Sequence, residues 1–180
     1  MRPVEWGVDK MSGQMKKGGV LAATAFALCV SMPANAAMAC WNQTQVAAAQ
    51  VRDLQSRLMV ATLRCSAMGV DVTPAYNRFV AANRTTIQGA NGVLMAAFRA
   101  GHGGEAQAHY DRFATALANI YGDDATDREV CGETAAVAEE AAAAAGDVRL
   151  LVTIAHRLGE APALPGGQCG ITFASMTDGN

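Results

Sequence analysis

The sequence predicts an all-α protein, an antiparallel up-down bundle of four main helices with a short fifth helix, an irregular C-terminal tail and two disulfides. Three observations favour this fold. Apolar residues recur at steps of three and four over long segments, which is the period of a helix face. Short segments rich in glycine and aspartate separate these stretches, so neighbouring helices are expected to run antiparallel. An even number of cysteines follows the N-terminal apolar segment.

The first segment with a distinct pattern, residues 15–36, has the three parts of a secretory signal peptide. Lys16 and Lys17 form its basic start, an apolar run of 11 residues covers 20–30, and small residues close it at Ala36. A run of this length is too short to cross a membrane, which takes about 20 apolar residues. We therefore interpret it as a cleaved signal and expect a periplasmic or secreted bacterial protein without a transmembrane segment after cleavage.

The residues on either side of this signal have different roles. Residues 1–14 contain acidic side chains, which are atypical of a basic signal-peptide start, so we interpret them as a mis-assigned start or an extension. Residues 37–180 are expected to form a single helical domain, with 10 Arg, no Lys, 14 Asp or Glu and a formal net charge of −4. The preference for Arg over Lys is typical of GC-rich bacterial genomes. The absence of a basic stripe argues against a nucleic-acid partner.

The first helix of the domain has one apolar stripe along its length. Asn42 or Thr44 can serve as its N-cap, and Gly69 marks its end. The residues of the stripe are Ala47, Val51, Leu54, Leu58, Ala61 and Cys65. Their alternating steps of four and three place them on a single face, which is expected to pack against the rest of the bundle.

The second helix is expected to open with Thr73 as N-cap and Pro74 at the first helical position, where proline is favoured. Gly89 and Gly92 weaken the middle of this helix by about 1 kcal/mol each relative to alanine, which predicts a kink or a break there. Asn83 lies near the apolar stripe of the same helix. If it is buried, its side chain requires a hydrogen-bond partner.

Three more helices follow the glycine-rich loop at 101–104. Their expected bounds are 105–121, 128–145 and 148–158. Thr126 or Asp127 can cap the fourth helix of the chain. Ile120 and Val148 fall on apolar stripes and are expected to face the core. Proline and glycine after position 159 predict the irregular tail.

The four cysteines of the domain are predicted to form two disulfides, as an even count in an exported chain indicates. Cys40 and Cys65 flank one helix, which places them about 37 Å apart, and a disulfide spans at most about 7 Å. In an up-down bundle, the end of the first helix and the start of the fourth lie together, which brings Cys65 to Cys131. The tail can return Cys169 to Cys40. The predicted pairs are therefore Cys65–Cys131 and Cys40–Cys169.

Few other residues indicate chemistry. Glu105 and His109 share a helix face, but zinc sites use three or four protein ligands, so we expect a solvated pair and no metal. Trp41 is expected to cover the neighbouring disulfide, although an exposed Trp at this position would be a candidate anchor for a partner. Motifs such as His-Glu-x-x-His and Gly-x-Ser-x-Gly are absent from the sequence. We therefore expect no catalytic residues and no cofactor.

These observations favour a non-enzymatic exported protein that acts through protein contacts at the cell envelope. The hypothesis predicts an exposed apolar patch, near Trp41 or near the glycine-weakened part of the second helix. The alternative is a carrier of a small ligand or a metal, which predicts a cavity inside the bundle. A lipid anchor at Cys40 is not expected, because the preceding Ala37 and Met38 differ from the usual lipidation pattern.

Overall fold

The computed structural model describes residues 40–170, which confirm the all-α fold. The helices are α1 Gln43–Ala67, α2 Thr73–Ala82, α3 Arg84–His102, α4 Ala106–Gly122, α5 Arg128–Ala143 and α6 Val148–Arg157, with a 3₁₀ turn at Gly103–Glu105. The predicted signal peptide at 15–36 and the segment 1–14 lie outside the described residues. Among the helices of the described part, none has both the length and the apolar content needed to cross a membrane.

Helix α1 lies at the centre of the bundle and contacts each of the other five helices. Its buried residues therefore occupy more than the single predicted stripe, and several of them are polar. They are Ala48, Ala49, Gln50, Val51, Asp53, Leu54, Ser56, Leu58, Thr62 and Cys65. Ala47 and Ala61 of the predicted stripe are only half-buried. Because α1 has neighbours on several sides, its buried residues cannot be predicted from a single apolar face.

Side-chain caps fix the starts of α1, α5 and α6. Asn42 accepts a hydrogen bond from the backbone N–H of Gln45, and the Gln45 side chain accepts the N–H of Asn42, which together form a capping box. The prediction that Thr73 is the N-cap of α2 is wrong. Thr73 is the first helical residue, and the Asp71 carboxylate accepts its N–H at 3.0 Å.

The predicted second helix is divided at Asn83, which separates α2 from α3. The expected break at Gly89 and Gly92 is wrong, since both glycines lie within the continuous helix α3. The break allows the two parts to pack differently. Helix α2 packs mainly against α5, whereas α3 packs against α1 and α4.

Asn83 lies at the break, and its buried side chain forms hydrogen bonds to backbone groups of two different segments. It is 1% exposed. Its amide nitrogen donates to the carbonyl oxygens of Phe79 at 2.9 Å and Ala141 at 2.8 Å, and its Oδ1 accepts the N–H of Gly146 at 2.7 Å. The expectation of a partnered, buried Asn83 is confirmed. The same side chain joins the break to the end of α5.

Both predicted disulfides are present. Cys40 bonds to Cys169 with the Cα atoms 4.7 Å apart, and Cys65 bonds to Cys131 with the Cα atoms 5.6 Å apart. Cys65 and Cys131 are completely buried, whereas Cys40 and Cys169 are exposed. The two disulfides therefore differ in their access to solvent. Since the sulfur of Cys40 is bonded to Cys169, it cannot carry the thioether of a lipid anchor at the same time.

Two residues expected in the core are exposed instead. Ile120 is 54% exposed and Val148 is 43% exposed. At the end of α4 the neighbouring Tyr121 turns inward, because its hydroxyl donates to the buried Asp53. Val148 is the first residue of α6, where the helix begins at the surface, and Leu151 and Ile154 fill the core below it.

Asn83→Ala should lower the free energy of unfolding by about 2–4 kcal/mol, because it removes three hydrogen bonds and leaves the N–H of Gly146 without its acceptor. Urea unfolding measures this loss. Asn77→Ala in the same helix pair is the matched control, since Asn77 is exposed and the change should stay within about 0.5 kcal/mol. Equal effects of the two substitutions would contradict the role given to Asn83.

Candidate functional site

An apolar groove lies between α1 and α3 and has a volume of about 430 Å³. Helix α1 contributes Ala47, Ala48 and Val51 to its walls. Helix α3 contributes Gly89, Ala90 and Val93 at the same spacing. Small side chains at these positions leave room between the two helices. The groove lies at the glycine-containing part of the predicted second helix, one of the two places where an apolar patch was expected.

Gly89 and Val148 define the open side of this α1–α3 groove. A Cβ added to Gly89 would meet no atom within 4 Å, so the glycine leaves the groove open without being required by the backbone. Val148 lines the groove from the start of α6 while remaining 43% exposed. Thr44 and Thr86 add small polar groups to the lining. The surface is therefore mainly apolar and accessible from outside the bundle.

Trp41, the sequence-predicted candidate anchor, is buried and only 1% exposed. Its indole N–H donates to the carbonyl oxygen of Pro165 at 2.7 Å. The indole ring packs against Phe98 and Phe113, with ring centroids 5.5 and 6.1 Å away. Trp41 is thus part of the aromatic core beneath the Cys40–Cys169 disulfide and does not present an exposed ring to a partner.

Glu105 and His109, the weak metal candidates, lie close together at the α3–α4 turn. His109 Nε2 is 3.8 Å from a carboxylate oxygen of Glu105, whose side chain is 84% exposed. The structure adds His102, whose ring stacks on His109 with centroids 3.4 Å apart and planes inclined by 9°. Within residues 40–170, no three His, Cys, Asp or Glu residues are grouped so that they could hold a metal ion.

The surroundings of His109 change the pKa of its imidazole. Burial of its ring lowers the pKa of His109 below the usual value, the nearby His102 and Arg112 lower it further, and Glu105 opposes the change. Sequence reasoning missed this contact, because the turn that brings His102 onto α4 depends on the conformation of Gly103, which has a φ of 53°.

A buried carboxyl pair, Asp53 and Glu160, was also missed by sequence reasoning. Asp53 is 1% exposed and Glu160 is 4% exposed. The hydroxyl of Tyr121 donates to Asp53 Oδ1 at 2.8 Å. Neither carboxyl oxygen of Glu160 has a hydrogen-bond partner among the described residues. A buried acid without such bonds favours its neutral form.

The pKa values of this pair reflect their burial. Burial raises the pKa of Glu160 to about 8, the Asp53 carboxylate adds to the rise, and the Arg57 guanidinium opposes it. Burial also raises the pKa of Asp53 above its usual value, although its hydrogen bond from Tyr121 and the charge of Arg57 act in the other direction. Glu160 is therefore mainly protonated at neutral pH, whereas it would be ionised in an unfolded chain.

A second cleft, of about 340 Å³, lies beside this pair between α1, α4 and α5. Arg57, Arg64 and Tyr121 line it, but Glu160 does not. Arg64 donates to the carbonyl oxygens of Tyr121 and Gly122, and Arg57 donates to that of Leu158. Both guanidinium groups thus bind helix C-termini of the protein itself. The raised pKa of Glu160 belongs to the interior of the bundle and not to this cleft.

Comparisons with protein-family models, curated proteins and solved structures found no match for this chain. The α1–α3 groove and the buried acids must therefore be interpreted from their own geometry.

Glu160→Gln should change how stability depends on pH. Below about pH 4.5 the carboxyl is protonated in both the folded and the unfolded chain; from there to about pH 8 only the unfolded chain releases the proton. The free energy of unfolding therefore falls as pH rises through this window, by up to about 1.4 kcal/mol per pH unit. The Gln variant lacks this loss, so its stability relative to the unchanged protein should increase from pH 5 to pH 9.

Urea unfolding at pH 5, 7 and 9 measures the effect, with both disulfides intact. Glu129→Gln provides the control, since Glu129 is exposed in the first turn of α5 and its replacement should preserve the original pH dependence. A Glu160→Gln variant with the same pH slope as the unchanged protein would show that Glu160 is not held neutral in the fold.

Proposed function

We propose that this chain is an exported bacterial protein, periplasmic or secreted, that acts without catalysis by binding another protein at the cell envelope. The two disulfides support the compartment, because disulfides persist in oxidising surroundings. The signal-peptide pattern at 15–36 supports export. The α1–α3 groove is the single observation that carries the binding function, since it offers an accessible apolar surface on a cross-linked scaffold.

The groove favours the apolar side chains of a partner helix as its occupant. Its walls are two long helices, and an amphipathic helix can lay its apolar residues along such a groove. Ala47, Ala48 and Ala90 allow close approach, and the exposed Val148 extends the contact beyond the floor. The lining contains no charged side chain, so a charged ligand would lose its hydration without gaining an ion pair.

A carrier of a small apolar ligand is the second candidate. The volume of the groove lies within the range of about 300–1,000 Å³ that small-molecule sites occupy. Such sites bury most of the ligand surface, however, and this groove is open along one side. A protein partner would cover the open side, which is why protein binding is preferred. The absence of catalytic motifs in the sequence supports a function without catalysis.

Photo-crosslinking identifies the partner. A photo-reactive residue replacing Ala47 should crosslink to one envelope protein, and that protein is then purified for binding measurements. Gly89→Leu fills the groove and should weaken binding by about tenfold or more, since it blocks the contact at its centre. Gly92→Leu is the matched control, because Gly92 lies on the same helix with open space around it but does not line the groove.

The affinity of each variant for the purified partner distinguishes binding through the groove from the alternatives. Equal weakening by both leucine substitutions, or by neither, would contradict binding through the groove. A small molecule that co-purifies with the unchanged protein and is lost in Gly89→Leu would favour the carrier. Elemental analysis of the same sample tests a bound metal. Circular dichroism should show unchanged helix content in both variants, since each glycine already lies in a helix.

A further inference from the structure

The C-terminal strap, residues 161–170, is held against the bundle mainly through Trp41 and the Cys40–Cys169 disulfide. The Trp41 N–H donates to the carbonyl of Gly167, and the Cys169 N–H donates to the carbonyl of Trp41, both at 2.9 Å. The indole N–H adds the bond to Pro165 at 2.7 Å. Most strap residues are exposed. Few apolar contacts therefore hold this segment, and Leu164 is the strap residue that packs against the core.

The strap covers the Trp41 ring and one side of a neighbouring cleft. Below it, Trp41 packs on Phe98 and Phe113 in the aromatic core. Beside it, a cleft of about 300 Å³ is lined by Val46, Gln50 and Val152, and Gln168 and Cys169 form part of its wall. Removal of the strap would expose the Trp41 ring and widen this cleft, while the six helices would keep their other contacts.

The two disulfides differ in solvent exposure, and selective reduction of one of them requires such a difference. Cys40 and Cys169 are exposed residues, so a thiolate can approach this disulfide without unfolding of the bundle. Cys65 and Cys131 are 0% exposed within a small apolar cluster with Val72, so their reduction requires the bundle to open. One disulfide can thus be reduced while the other keeps α1 joined to α5.

We propose that the Cys40–Cys169 disulfide is a reversible redox latch, whose reduction releases the strap and uncovers Trp41, while Cys65–Cys131 stays oxidised and maintains the helical bundle. The reductant is a dithiol, either a small molecule or a thioredoxin-like protein. Its thiolate attacks one exposed sulfur, the Cys40–Cys169 bond breaks, and a mixed disulfide forms. The second thiol of the reductant then displaces the protein cysteine, which leaves an oxidised reductant and two protein thiols after transfer of two electrons and two protons.

Trp41 reports the state of the latch. The sequence contains two tryptophans, and Trp6→Phe in the uncleaved chain leaves Trp41 as the only one. Graded dithiothreitol, alkylation and peptide mapping should show Cys40 and Cys169 reacting at a reductant concentration about 100-fold lower than Cys65 and Cys131. Over the same first range, Trp41 emission should shift to the red and acrylamide quenching should increase, with no change in helix content. Reoxidation by oxidised glutathione should restore the original emission.

Cysteine variants provide the matched comparison. Cys40→Ala with Cys169→Ala should show the released Trp41 emission without reductant and no further shift in the first reduction range. The proposal is overturned if both disulfides are reduced together, or if Cys40 and Cys169 become thiols without increased quenching of Trp41. Should the double variant fail to fold, the titration of the unchanged protein still decides between these outcomes. The inference does not rest on the partner proposed for the α1–α3 groove.

Discussion

Because α1 is surrounded by the other five helices, the polar residues on it have to find partners inside the bundle. Ser56 and Thr62 donate to carbonyl oxygens one turn earlier in α1 itself. Gln50 bonds to His156 of α6 at 3.0 Å, and Asp53 accepts from Tyr121 of α4 at 2.8 Å. These bonds fix which faces of α4 and α6 turn toward α1, since an unpaired buried polar group is costly. The orientation of α4 and α6 thus depends on the buried polar residues of α1.

The same helix also stabilises the ends of its neighbours. The last carbonyl groups of a helix have no partner within it and carry its partial negative charge. Arg64 donates to two such groups at the end of α4, and Arg57 donates to the carbonyl of Leu158 after α6. Asn83 has an equivalent role between the α2–α3 break and the end of α5. Side chains distant in sequence therefore terminate these helices, and the connecting loops can remain short.

The all-α fold and both disulfide pairs could be predicted because they depend on helix periodicity, helix length and the alternation of helix direction. The break at Asn83, the stack of His102 on His109 and the neutral Glu160 could not, since each requires contacts between distant segments. The groove lies at one of the two places where an apolar patch was expected. The glycines there were expected to kink or break the helix, but both lie within the continuous helix α3, and Gly89 lines the groove.

The order of the cysteines along the chain has a consequence for oxidative folding. The native pairs are nested, since Cys40 joins the last of the four cysteines and encloses the pair Cys65–Cys131. The first two cysteines of the domain, Cys40 and Cys65, are not native partners. When the 25-residue helix α1 is formed, it holds them about 37 Å apart, which is too far for a disulfide. Helix α1 therefore excludes one of the three possible pairings by its length alone.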